Sequence, residues 1–236
     1  MFDVRVPLLY SNLYITMQSF YTIIKALLDM VFPVYCISCG SSGLDLCLIC
    51  LSESPPVERE SAKWIFPLYD YRHPPIKKAL WLFKYKGRKR LVGIFAETLH
   101  GRILEELSDL SVMQNFNDAL LIPIPLSKKR YKERGYNQAE LLCKELVELD
   151  KGKNFKLEKS ILIKPKETEH QAYIRDRRDR LKNLSGSFFV KNSILIKNRN
   201  IILIDDITTT GATLAEAKKT LKQSGARKII AFTVAH

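Results

Sequence analysis

The chain has 236 residues, with 38 Lys and Arg against 25 Asp and Glu, so its formal net charge is +13. Hydrophobic residues make up 46% of the sequence, which excludes an intrinsically disordered chain. Because it contains 10 Gly and 10 Pro, a collagen-like or low-complexity chain is excluded as well.

The N-terminal stretch is the most apolar part of the chain, but polar and charged residues interrupt Leu8–Tyr35. We therefore expect no membrane-spanning helix there. Met17 is an alternative start, because a helical pattern of apolar residues begins just after it. Residues 1–16 are a candidate non-native or disordered start. Since no signal peptide is recognisable either, a cytoplasmic protein is expected.

Four of the five cysteines form two Cys-x-x-Cys pairs, Cys36 with Cys39 and Cys47 with Cys50. Two such pairs bring four thiolates within reach of one tetrahedral Zn²⁺ ion, and a reducing compartment disfavours disulfides between them. Four sulfur ligands leave no open coordination position, so the predicted site is structural. Four buried or redox-active thiols are the alternative. We expect a helix and this zinc module over residues 17–54.

A polar segment, Ser52–Lys63, precedes a predicted domain over residues 64–236. Strand-like and helical segments alternate along it, which favours an α/β fold with a mostly parallel sheet and helices on both faces. The predicted strands are Trp64–Tyr71, Ala119–Pro125, Lys156–Ile163, Arg199–Ile204 and Lys228–Ala235, and the predicted helices are Ile76–Tyr85, Leu91–Leu107, Asn137–Leu149 and Thr213–Ser224. Cys143 lies on the apolar face of the third helix and is expected to be a buried core thiol.

The positive charge is concentrated in three short runs, Lys84–Arg90, Lys128–Arg134 and Arg175–Lys182. Basic runs interleaved with tyrosines suit contacts to the backbone and bases of single-stranded nucleic acid. Solvated surface faces are the alternative. The candidate nucleic-acid contacts are Lys84, Lys86, Arg88, Lys89 and Arg90.

The most informative segment is Ile201–Leu214, with the sequence IILIDDITTTGATL. An apolar strand ends at Asp205 and Asp206, and a loop rich in Thr and Gly then leads into a helix. The backbone N–H groups of such a loop and the N-terminus of a helix form a site for a phosphate group. The two carboxylates would repel phosphate, so we expect them to face sugar hydroxyls or Mg²⁺. A ribose 5-phosphate satisfies both requirements, and an ordinary turn is the alternative.

This segment resembles the signature for phosphoribosyl pyrophosphate (PRPP) in type I phosphoribosyltransferases, where two acids and two apolar residues precede Thr-Thr-Gly-x-Thr. Thr208 departs from the pattern, because the family usually has an apolar residue there. The resemblance implies the mostly parallel sheet of that family and binding of PRPP with Mg²⁺. It implies that Asp205 and Asp206 contact ribose and Mg²⁺. It also implies a 5′-phosphate loop formed by Thr208, Thr209, Thr210, Gly211, Ala212 and Thr213.

Two further stretches, Ile122–Ala139 and Lys166–Phe188, resemble the ComF family of competence proteins, and the four-cysteine module belongs to the same pattern. The resemblance implies a pyrophosphate loop and a flexible loop that closes over the site. The pyrophosphate loop comprises Pro125, Leu126, Ser127 and Lys128, and the flexible loop includes Thr168, Gln171 and Arg178. Basic residues such as Arg130 and Arg134 are candidates to neutralise the pyrophosphate.

The resemblance to ComF proteins implies a role in natural transformation, in the handling of incoming single-stranded DNA. The partners it implies are PRPP, single-stranded DNA and a DNA-uptake helicase. Phosphoribosyl transfer to an unknown acceptor is a further activity implied by the fold family. Thr209 occupies the position of the Asp that serves as general base in enzymes of 6-oxopurines, so that activity is not expected. The alternative is a metabolic phosphoribosyltransferase, in nucleotide salvage or a related process, with no role in DNA uptake.

Overall fold

The computed structural model describes residues 30, 33–55, 57, 61–165 and 185–236. The strands are β1 (Ile65–Tyr69), β2 (Ala119–Pro123), β3 (Phe155–Leu157), β4 (Leu162–Ile163), β5 (Phe189–Val190), β6 (Asn200–Ile207) and β7 (Lys228–Ala235). The helices are α1 (Leu48–Ser52), α2 (Pro74–Tyr85), α3 (Leu91–Gln114), α4 (Lys128–Arg134), α5 (Gln138–Asp150) and α6 (Ala212–Gln223). Residues 1–16, the basic run Arg175–Lys182 and the flexible-loop residues Thr168, Gln171 and Arg178 lie outside the described residues.

Five strands form a parallel sheet in the order β1-β7-β6-β2-β3, and β4 and β5 form a separate antiparallel pair. From β2 the chain moves outward to β3, whereas from β6 it moves the other way to β7. The carboxyl ends of β2 and β6 therefore lie side by side where the strand order reverses. Open α/β sheets bind ligands at this point.

Both faces of the sheet are covered by other elements. Neighbouring side chains along a strand point to opposite faces, so each strand contributes to two cores. On one face, Ile202 and Ile204 of β6 share a core with residues of α2, α3 and α5. On the other face, Ile201 and Leu203 share a core with residues of α6, β4 and β5. Uninterrupted apolar runs are typical of parallel strands that are covered on both sides. The predicted mostly parallel α/β sheet with helices on both faces is confirmed.

Local sequence signals in α5 have the expected structural roles. Asn137 is the N-cap, and its side-chain oxygen accepts a hydrogen bond of 3.0 Å from the N–H of Ala139. Cys143 is fully buried in this helix, and burial raises the pKa of its thiol well above the usual value. The prediction of a core thiol at this position is thus confirmed.

Two predictions about strands are wrong. The strand before the acidic pair does not end at that pair, because Asp205 and Ile207 continue the ladder of β6 opposite Thr233 and Ala235. The single strand predicted over Lys156–Ile163 is instead two short strands, β3 and β4, which belong to different sheets. Both errors arise because strand pairing depends on distant segments, which local hydrophobicity does not report.

The cysteine segment belongs to the core that α2, α3 and α5 form on one face of the sheet. Leu46 is fully buried and Leu51 nearly so, in the core that includes Phe83 of α2. The guanidinium of Arg88 donates to the buried carboxylate of Asp45 over 2.8 Å. None of the helices in the described ranges combines the length and apolar character needed to cross a bilayer.

Candidate ligand-binding cleft and metal centre

A cleft of about 280 Å³ opens at the carboxyl ends of β2 and β6. Asp205 and Asp206 line it from β6, and residues 124–126 line it after β2. The turn into α6 contributes residues 208–214. Aromatic and basic side chains from the surrounding elements complete the lining, namely Tyr71, Trp81, Lys84, Tyr85, Arg130, Arg134 and Lys164.

The two carboxyl groups of the cleft have different environments. Asp206 is buried, and its Oδ1 lies 3.1 Å from the ammonium nitrogen of Lys84. Asp205 is partly buried, and its Oδ1 accepts a hydrogen bond of 2.9 Å from the N–H of Asp206. Burial and the neighbouring Asp206 raise the pKa of Asp205 to about 7, although Lys84 and Arg134 lower it. The pair would therefore be stabilised by a ligand that brings hydroxyl donors or a cation.

The turn from β6 into α6 brings the N-terminus of a helix to the cleft. Buried Thr208 donates its N–H to the carbonyl of Ala235 over 2.9 Å, which fixes the start of the turn. Gly211 is the N-cap of α6 at φ +71°, and a Cβ there would lie 3.2 Å from Ile65 Cδ1. A position with a left-handed backbone conformation and so little space for a Cβ favours glycine. The first turn of α6 lines the cleft, and the N–H groups of a first turn have no intrahelical acceptors.

The segment after β2 divides between the cleft and a helix cap. Pro125 and Leu126 line the cleft. Ser127 is 2% exposed and caps α4, because its Oγ accepts a hydrogen bond from the N–H of Arg130. Lys128 is exposed and does not belong to the cleft lining. Of the expected pyrophosphate loop, the structure thus brings the first two residues to the carboxylates.

The four cysteines of the N-terminal segment form one cluster, in which the sulfurs lie within 4.8 Å of one another. The N–H of Cys47 is directed at Cys36 Sγ (3.4 Å) and the N–H of Cys50 at Cys47 Sγ (3.5 Å). Burial raises the pKa of Cys36, but hydrogen bonds from Cys47, Cys39 and Ser38 lower it to about 6. In a tetrahedron with Zn–S bonds of about 2.3 Å, the sulfurs lie about 3.8 Å from one another. The donor set therefore fits one tetrahedral metal ion.

Part of this chain matches a known domain, and much of it aligns with two known proteins. Residues 144–236 match the model of the phosphoribosyl transferase domain. The chain is 32% identical over 160 residues to the competence protein ComFC of Bacillus subtilis, covering 67% of this chain and 59% of that protein. Together with the matched domain and the four-cysteine cluster, this relative supports a ComF-family protein with a phosphoribosyltransferase-like domain. A second relative, the DNA utilization protein YhgH of Escherichia coli O6:H1, is 26% identical over 188 residues, which cover 78% of this chain and 74% of YhgH.

A solved structure of hypoxanthine-guanine phosphoribosyl transferase from L. donovani is 15% identical, covering 61% of this chain and 67% of that one, with a TM-score of 0.37. The parallel sheet and the matched domain, and not this likeness, establish the phosphoribosyltransferase-like fold. The matched domain contains Asp205, Asp206 and the turn into α6.

The side chains of the basic run Lys84–Arg90 contact several different parts of the structure. Lys84 lines the cleft and contacts Asp206. Arg88 pairs with the buried Asp45 of the cysteine segment, while Lys86 and Lys89 lie over aromatic rings. These four side chains interact within the protein, so contact of the run with nucleic acid stays a prediction.

Trp81 and Lys164 are among the cleft residues that are not expected from the sequence. Trp81 lies three residues before Lys84 and four before Tyr85 on α2, and this helical spacing could have identified Trp81 as their neighbour on one face. Lys164 follows β4, is 7% exposed, and lies with its ammonium 5.4 Å from the ring centre of Phe188. No pattern in the sequence marks Lys164, because its place depends on how the β4–β5 pair docks.

Proposed function

We propose that the chain binds PRPP together with Mg²⁺ in the cleft and acts in DNA uptake. The observation that carries the proposal is the acidic pair Asp205–Asp206 beside the glycine turn into α6. Carboxylates suit the vicinal hydroxyls of a ribose or the hard cation Mg²⁺, and the α6 N-terminus suits the 5′-phosphate. The names of the two relatives, a competence protein and a DNA utilization protein, support the role in DNA uptake.

The charges around the cleft suit the rest of PRPP. Arg130 and Arg134 of α4 line the same cavity as the carboxylates, so they are the candidates to neutralise pyrophosphate. If the protein transfers the phosphoribosyl group, the C1–O bond breaks and its electron pair leaves with pyrophosphate. Arginines held close to that oxygen would stabilise the developing charge.

The cysteine cluster supports a structural Zn²⁺ site. All five cysteines are unpaired by disulfides, which suits a reducing compartment such as the cytoplasm. With four sulfur ligands, the ion would have no open position for a substrate. Its contribution would be to hold Cys36–Cys50 folded against α2.

Replacing both carboxylates tests the ligand. The variant Asp205→Asn/Asp206→Asn is expected to lose Mg²⁺-PRPP affinity by about 100-fold or more, since hydrogen bonds to charged groups contribute about 1.5–3 kcal/mol each. Isothermal titration calorimetry measures the loss. Asp109→Asn, an exposed carboxylate on α3, is the control and should bind normally. Retained affinity in the double variant would refute the ribose and Mg²⁺ role.

The same variant tests the biological role. Introduced in place of the chromosomal gene in a transformable host, it should abolish transformation while the protein level stays normal. Normal transformation by this variant would separate the cleft from DNA uptake. The metabolic phosphoribosyltransferase would then be the better description.

A further inference from the structure

Two large aromatic side chains lie at the edge of the cleft. Trp81 is 47% exposed and Tyr85 is 50% exposed, and both line the cavity. Their ring centroids lie 6.3 Å apart, with the ring planes inclined by 48°. Single exposed aromatics are common on protein surfaces, but a pair that borders a polar cavity is a typical feature of ligand sites.

The side chain of Lys84 lies between the aromatic pair and the acidic pair. On a helix, positions three and four apart share a face, so α2 presents Trp81, Lys84 and Tyr85 to the cleft together. Lys84 contacts Asp206 at 3.1 Å. The rings therefore border the space next to the proposed position of the ribose.

A cation lies close to each ring. Lys86 Nζ is 5.4 Å from the ring centre of Trp81, and the guanidinium carbon of Arg134 is 5.2 Å from that of Tyr85. A flat ring has two faces, and about half of each side chain is exposed, so ring surface remains for a ligand. The cations add donors for the oxygen and nitrogen acceptors of such a ligand.

We propose that Trp81 and Tyr85 form a stacking subsite for a nucleobase beside the ribose-binding carboxylates. The proposal rests on the proposed function, from which it takes the position of the ribose. A nucleobase has flat π faces for the two rings and ring acceptors for Lys86 and Arg134, whereas an aliphatic group would use neither. The base belongs either to a small nucleotide or to a single strand of DNA.

Fluorescence of Trp81 can report on this subsite directly. The chain has two tryptophans, so Trp64→Phe leaves Trp81 as the sole tryptophan. Titration with AMP and UMP is expected to quench it, and ribose 5-phosphate, which has no base, is expected to bind without quenching. The nucleotides should bind about 10- to 100-fold more tightly than ribose 5-phosphate, the factor that base stacking on one aromatic side chain gives.

Variants separate stacking from sugar binding. In Trp81→Ala and in Tyr85→Ala, calorimetry should show the affinity ratio of AMP to ribose 5-phosphate fall towards one, and Trp81→Phe should keep most of it. Tyr131→Ala is the matched control, because Tyr131 on α4 is also 50% exposed and does not line the cleft. A ratio that stays unchanged in Trp81→Ala and Tyr85→Ala would overturn the subsite.

The source of the base follows from a parallel titration with oligo-dT. Quenching by the oligonucleotide, with an affinity that falls as salt rises, assigns the subsite to a DNA strand. Quenching by the mononucleotides but not by oligo-dT assigns it to a small nucleotide. Normal binding of Mg²⁺-PRPP without quenching by any base refutes the subsite and leaves the proposed function intact, whereas failure to bind Mg²⁺-PRPP refutes the proposed function.

Discussion

The cysteine cluster and the carboxylate cleft both gather acidic groups into a small volume, but the two regions are closed to different degrees. The cluster has four sulfurs within 4.8 Å of one another, and two backbone N–H groups point at them. The cleft has Lys84 against Asp206 and a cavity of about 280 Å³. A closed set of four ligands suits an ion that stays bound. An open cavity with incompletely compensated charge suits a ligand that exchanges.

Helix α2 and the turn after it connect the two regions. Lys78 donates to the carbonyl of Ile37 over 3.2 Å, and Arg88 pairs with Asp45 at 2.8 Å. Between these two contacts with the cysteine segment, α2 directs Lys84 at the cleft. The cluster therefore supports the helix that supplies cleft residues. Substitutions in the cluster should weaken ligand binding in the cleft, whereas substitutions in the cleft should leave zinc binding by the cluster unchanged.

Removal of two thiolates should produce the largest effect. In Cys36→Ser/Cys39→Ser, we expect bound zinc to fall from about one ion per chain to none. The free energy of unfolding should fall by about 5 kcal/mol or more, because metal binding contributes directly to folding. Plasma emission and denaturant unfolding measure the two quantities, and calorimetry should show weaker Mg²⁺-PRPP binding.

The control for this variant is Cys143→Ala, which removes the buried cysteine of α5. It should keep its zinc and lose only about 1–2 kcal/mol, the cost of a small buried side chain. Full zinc content in the double serine variant would contradict the assignment of the cluster. Unchanged PRPP affinity after zinc loss would contradict its support of α2.

A pH titration should produce an intermediate effect that is confined to the cleft. The pKa of Asp205 is raised to about 7 from 3.8 by burial and by Asp206, against the opposite influence of Lys84 and Arg134. Between these two pH values the folded chain keeps a proton that the unfolded chain has released. Stability without ligand should therefore fall as pH rises from about 4 to about 7.

Asp205→Asn should remove this part of the pH dependence, on the order of 2–3 kcal/mol for a partly exposed carboxyl. Denaturant unfolding at several pH values compares its slope with that of the parent. Asp109→Asn, exposed on α3, should keep the parental slope. If Asp205→Asn also keeps the parental slope of stability against pH, the Asp205 carboxyl is not the group that titrates. The uncompensated charge assigned to the cleft would then be wrong.

Short-range patterns were sufficient for much of the fold and part of the site. The strand Lys228–Ala235, the cap at Asn137 and the two cysteine pairs depend on a few neighbouring positions, so the sequence predicts them. The contact between Lys84 and Asp206 joins distant segments. A basic run carries no information about which helix docks beside β6, so the sequence places Lys84 among the candidate nucleic-acid contacts instead of in the cleft.

The smallest effect should come from a single backbone position in the turn into α6. Gly211→Ala places a Cβ at φ +71° and 3.2 Å from Ile65 Cδ1, which should cost about 1–2 kcal/mol in unfolding free energy. Gly101→Ala is the matched substitution, since Gly101 lies within α3 with open space at its Cβ position. It should stabilise the protein by about 0.5–1 kcal/mol.

The two glycine substitutions are expected to change the unfolding free energy in opposite directions, which makes the measurement specific to the turn. Mg²⁺-PRPP affinity should fall in Gly211→Ala, because the strained turn aims its N–H groups away from the phosphate position, and it should be unchanged in Gly101→Ala. Zinc content should be normal in both variants. If Gly211→Ala binds Mg²⁺-PRPP like the parent, the phosphate does not depend on this backbone conformation, and the anion site must be sought elsewhere in the cleft.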